Sequence, residues 1–122
     1  MTLRQRQPRE KDAKHLDFIR SLPCACCGND IQTEAAHLRS GNLKYGKPPT
    51  GGGEKPSDKW ALPLCGQCHR RQHEGDEEAF WAFGGINPWV LAMTLHNLSG
   101  DHAMACTAIE RQRSKFFAMA LT

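Results

Sequence analysis

Two Cys-x-x-Cys pairs, Cys24 with Cys27 and Cys65 with Cys68, stand with 37 residues between them in a chain of 122. A two-residue spacing lets both sulfurs of a tight turn face one ion, and two such turns complete a tetrahedral set of the kind that holds structural zinc. Cys26 offers a competing pairing. Gly28, directly after Cys27, suits a knuckle turn that needs a permissive backbone, which favours Cys24 with Cys27. Cys26 and Cys106 are then read as buried free thiols. A closed four-thiolate site leaves no open position for water or substrate, so any catalysis must come from other residues.

Three histidines sit at informative offsets. His37 follows the first knuckle by ten residues, His69 directly follows Cys68, and His73 stands at i, i+4 from His69. On a helix that spacing puts two imidazoles on one face, able to grip one cation, with Cys68 fixing the helix start against the zinc. His15, His96 and His102 lack such partnered spacing and are read as structural or surface residues.

The elements that must position these groups can be read along the chain. Residues 1–11 carry Arg4, Arg6, Arg9 and Lys11 against Glu10 alone, which predicts a flexible basic arm able to contact phosphates. Asp12 caps a helix to about Ser21, burying Leu16, Ile19, Phe18 and Leu22, and Pro23 ends it. A strand-like stretch from Ile31 to Ala36 delivers His37. Residues 39–59 hold five glycines and Pro48, Pro49 and Pro56, a composition that predicts a long irregular loop. Its Arg39, Lys44, Lys47, Lys55 and Lys59 outnumber Glu54 and Asp58, as in a DNA-facing flap.

The apolar WALPLC reads as a second strand, and residues 68–83 as one helix whose Phe80, Trp81 and Phe83 pack the core. Asn87 and Pro88 start a further helix to about Leu98, which Gly100 stops. A last helix runs from about Asp101 to Leu121, with Ala105, Ile109, Phe116 and Met119 in one stripe. The expectation is an α+β fold in a single domain over residues 12–122, with a ββα core at about 24–83 and C-terminal helices at about 87–121.

The segments LPCACCG, AAHLR and KPSDKWALPLCGQCHRRQH resemble the HNH (ββα-metal) endonuclease superfamily, more narrowly its phage and prophage members, which include a phage recombination-enhancement nuclease. The resemblance covers about residues 12–98. It implies a two-stranded hairpin and a helix clasping one divalent ion, such as magnesium or manganese, beside a scissile phosphate. His37 would then be the general base, and His69 and His73 would hold or flank the catalytic ion. Arg70 and Arg71 beside them would meet DNA phosphates. In some relatives activity depends on a recombinase filament.

Two positions depart from the pattern. Ala36 stands where many members carry a metal-binding Asp or His, and Trp60 or Ala61 where they carry Asn. Asp58 is close enough to substitute as a ligand or as an orienter of a histidine, and His37 as base and His37 as ligand both stay open.

A formal charge of +3 becomes no more acidic once four thiolates are matched by zinc and one divalent cation, and mild basicity suits a polyanionic partner. The polar N-terminus and the lack of a long apolar run predict a cytoplasmic protein, bacterial or phage-encoded, without a membrane partner. The function expected is metal-dependent hydrolysis of DNA phosphodiesters in phage or prophage recombination or repair. The alternatives are a non-catalytic zinc-knuckle module that binds nucleic acid and a zinc-stabilised adaptor for other proteins.

Overall fold

A computed structural model describes residues 9–50 and 55–120, with side chains described through Arg113. Arg4 and Arg6 of the basic arm, Glu54, and the Phe116 and Met119 side chains of the predicted stripe lie outside the described residues. The fold is α+β. Helix α1 (Ala13–Arg20) leads to strand β1 (Thr33–His37), then β2 (Ala61–Cys65), and helices α2 (Gly66–His73), α3 (Glu77–Phe83), α4 (Pro88–Asn97) and α5 (His102–Ala120) follow.

The strands pair antiparallel, with Thr33 opposite Cys65 and His37 opposite Ala61. Every residue of β2 is buried, because α1, α2 and α4 all pack against it. Pro63 is tolerated there for a geometric reason. Its carbonyl accepts from the Ala25 amide at 2.8 Å, so its backbone polar groups face away from β1 and no ladder donor is missing. The same bond fastens the first cysteine turn to the outer edge of β2. Alternation along β1 sends Glu34 and His37 to opposite faces of the sheet.

Caps fall where the side chains predict them. Asp12 accepts from the His15 amide at 3.1 Å, and Asn87 from Val90 at 3.1 Å with Pro88 in the first turn of α4. Residues 68–83, expected as one helix, are two. Gly75 takes φ +97°, a left-handed conformation that stops α2, and Asp76 then caps α3 by accepting from the Glu78 amide. The break changes which aromatics are inside. Trp81 is buried and Phe80 partly so, but Phe83 is exposed and is no core residue.

Ile19, Leu22, Leu62, Leu64, Leu91 and Ile109 complete the core around Trp81, each worth about 1.5–3 kcal/mol when fully buried. Residues 39–50 and 55–59 also hold more regular structure than expected. Asn42 and Lys47 form a bridge around a 3-10 turn at Leu43–Tyr45, and a second 3-10 turn at Asp58–Trp60 enters β2. Glu10, expected in a flexible arm, is held, since its amide donates to Ser57 and its carbonyl accepts from Asp58. Among the described residues no helix is long and apolar enough to cross a membrane.

His15 is buried in α1, its Nδ1 2.8 Å from the Ser99 hydroxyl and its ring edge-on to His96. Burial, then the neighbouring His96, lower its pKa from 6.5 against the opposing pull of Asp12 and Asp58. The fold thus favours the neutral imidazole, and its contribution is intact above the unfolded value of 6.5 and lost as pH falls below it. Urea midpoints are expected to drop between pH 7.5 and 5.5, by less in His15→Gln than in the wild type. Equal pH dependence in the two proteins would refute this assignment.

Candidate functional site

The first cysteine turn closes on itself. The Gly28 amide donates to the Cys24 carbonyl at 2.9 Å, and the Cys24 amide to Asn29 at 2.8 Å. Gly28 adopts φ +79°, a backbone conformation that favours glycine, and the Arg113 guanidinium lies over it, 2.0 Å from where a Cβ would be. The second turn is the junction of β2 and α2, with Cys65 ending the strand and Cys68 in the first turn of the helix.

These turns bring Cys24, Cys27, Cys65 and Cys68 together, all four sulfurs within 4.8 Å of one another. The Cys27 and Cys65 sulfurs are 3.7 Å apart, close to the ~3.8 Å edge of a tetrahedron built on zinc–sulfur bonds of about 2.3 Å. The donor set and its spacing fit zinc. Cys26 stands outside the cluster, its sulfur 3.7 Å from where a Cβ on Gly84 would be. Burial and the neighbouring cysteines push its thiol up to about 12, whereas Cys65, against its burial, is brought down to about 7 by hydrogen bonds from Cys68, Cys27 and Cys24. Cys26 and Cys106 are only half-buried, not fully buried as expected.

At the far end of β1, His37 Nε2 lies 2.8 Å from Asp58 Oδ1. Asp58 is buried and also accepts from the Arg9 guanidinium at 2.6 Å on Oδ1 and from the Asp12 amide at 2.7 Å on Oδ2. Burial alone would raise its pKa, but these donors outweigh it and hold the carboxyl below its ordinary value. An ionised Asp58 places the imidazole proton on Nε2 and leaves the His37 lone pair on Nδ1. Both oxygens of Asp58 are engaged, Oδ1 by His37 and Arg9 and Oδ2 by the Asp12 amide, an arrangement that can orient the His37 ring.

Helix α2 carries the other two histidines. Their Nε2 atoms are 3.2 Å apart, and Glu34 Oε1 lies 2.7 Å from His69 Nδ1. No hydrogen bond joins the His37 ring to either of them among the described residues, but Gln72, between them in sequence, donates to the His37 carbonyl at 3.3 Å. Gln72 also donates to Glu77, which accepts from the Arg39 and Ser40 amides and the Ser40 hydroxyl. The segment after His37 is thereby fixed to α2, beside a cleft of about 350 Å³ lined by Arg39, Gln72, His73 and Glu77.

The basic residues divide. Arg39, Lys44, Lys55, Arg70 and Arg71 are exposed, and Lys59 is partly so. Lys47, expected to face DNA, is buried instead, its ammonium bonded to the Arg39 and Pro48 carbonyls and the Thr50 hydroxyl. It holds the loop together. Arg9, Glu34, Gln72 and Glu77 were not legible as site residues. Their partners lie 35 to 49 residues away, apart from the local Gln72–Glu77 pair, so no local spacing could reveal them.

Residues 2–104 match the family described as protein of unknown function (DUF968). None of the curated proteins and none of the solved structures matches the chain.

Purified protein should carry close to one equivalent of zinc that survives dialysis. Cobalt in its place should give intense thiolate charge-transfer absorption, and Cys65→Ser should abolish both. A protein free of transition metal and still fully folded would defeat the four-cysteine assignment.

Proposed function

We propose that this chain, which belongs to the DUF968 family, is a metal-dependent DNA endonuclease of the HNH type with a structural zinc at Cys24, Cys27, Cys65 and Cys68. The observation that carries the reading is the pairing of His37, at the end of β1, with Asp58, His37 being tied through Gln72 to the helix bearing His69 and His73. The order of hairpin then helix supports it as well.

In this reading His37 is the base. Its Nδ1 accepts a proton from water as the water oxygen bonds to phosphorus, and the P–O3′ bond breaks, the 3′ oxygen taking a proton from solvent. Asp58 keeps the ring in the tautomer this step needs and stabilises the imidazolium that results, while Arg9 and the Asp12 amide keep Asp58 ionised. His69 and His73 would hold a divalent cation, which when bound offsets charge on the phosphate. Arg39, Lys44, Lys55, Arg70 and Arg71 supply cationic groups for the DNA backbone, which position the strand without reading sequence. The setting would be phage or prophage recombination or repair in the cytoplasm.

The test is cleavage of plasmid, linear and single-stranded DNA with magnesium, manganese or nickel. His37→Ala should lose about 10²–10⁴-fold in rate, and Asp58→Asn should lose less, with zinc content unchanged. If the wild type cleaves nothing with any metal, or His37→Ala cleaves as well, the catalytic reading is overturned. Salt-sensitive DNA binding without cleavage would identify a zinc-knuckle binding module instead.

A further inference from the structure

Glu34 of β1 and His69 and His73 of α2 form a relay. Glu34 Oε1 lies 2.7 Å from His69 Nδ1, and His69 Nε2 lies 3.2 Å from His73 Nε2. A carboxylate can only accept, so the His69 proton belongs on Nδ1 and its lone pair on Nε2, aimed at His73. Two nitrogens bound to one ion at about 2.0–2.1 Å stand ~2.9 Å apart at an octahedral edge and ~3.4 Å at a tetrahedral one. The observed spacing falls between these limits, so the two nitrogens can take one ion once it displaces the proton that His73 Nε2 donates to His69 Nε2. Gly66 leaves room for the arrangement, since a Cβ there would be 3.3 Å from Glu34 Oε2 and 3.4 Å from a guanidinium nitrogen of Arg70.

We infer that Glu34 is a positioning residue that orients His69 in a two-imidazole clamp, and that the clamp takes a late first-row dication such as cobalt, nickel or zinc in preference to magnesium. The inference rests on the reading that His69 and His73 hold the ion. Its chemical basis is twofold. Imidazole nitrogen suits the later transition metals, whereas magnesium favours oxygen ligands and its own waters. A carboxylate on the second ring nitrogen fixes the tautomer and ring orientation and makes the ligating nitrogen more basic. Glu34 is itself half-exposed, so its effect on the fold is small and its effect on the ion is separable.

The experiment titrates the zinc-loaded full chain with cobalt, nickel or magnesium by calorimetry and follows cobalt by its visible absorption. The wild type should bind one further equivalent of cobalt or nickel with weak d–d bands lacking thiolate charge transfer, and magnesium at least 100-fold more weakly. Glu34→Gln should weaken cobalt binding by about 10–100-fold and alter the bands while zinc content and circular dichroism stay unchanged. Glu34→Asp should recover part of the affinity. Unchanged cobalt affinity and spectrum in Glu34→Gln would overturn the role of Glu34, and magnesium binding as tightly as cobalt would overturn the choice of ion. Full cobalt binding by His69→Ala would remove the clamp itself, whereas loss of binding there without any DNA cleavage by the wild type would leave the clamp standing and defeat only the nuclease reading.

Discussion

Cys24, Cys27, Cys65 and Cys68 converge on one point, and most of the molecule's geometry follows from that convergence. Two of the four belong to a loop and two to a strand–helix junction, so their meeting holds the chain after α1 against the end of β2 and the start of α2. The Ala25 to Pro63 bond and the space that Gly28 leaves for Arg113 serve the same junction. A core of this size is thin, and a bound ion that exists only in the folded state adds its binding free energy to folding. The cluster therefore acts as the hinge pin of the fold.

From that pin the two histidine groups diverge. Glu34 meets His69 of the His69–His73 pair on α2, and His37 meets Asp58, which is held by Arg9 and by the Asp12 amide at the start of α1. They are kept in fixed relation by a polar thread, Gln72 to the His37 carbonyl and Gln72 to Glu77 to the Ser40 backbone. Charge follows the same division. Asp58 sits beneath the sheet with three donors that keep it ionised, while Arg39, Arg70 and Arg71 remain exposed.

The residues that folding draws inward explain two reversals. Lys47 looked like one cation of a flap, yet its ammonium joins three oxygens of its own loop, and that makes it a bracket. Arg9 looked like part of a free arm, but its guanidinium completes the shell of a buried carboxylate. In both cases the side chain found an internal acceptor that sequence neighbours do not supply.

Periodicity, caps and cysteine spacing determined much of this protein in advance. They placed α1, both strands, α4 and α5 to within a few residues, because these depend on local pattern, and the repeated Cys-x-x-Cys spacing picked the four cysteines that cluster. The single residue Gly75 was enough to split the predicted helix at 68–83, since its left-handed backbone outweighs a favourable run of helix formers. Only tertiary structure could decide that Asp58 orients His37, that Glu34 meets His69, and that Lys47 turns inward. Those pairings join residues from different elements or across a folded loop, and hydrogen-bond geometry settles them only once the core has brought the segments together.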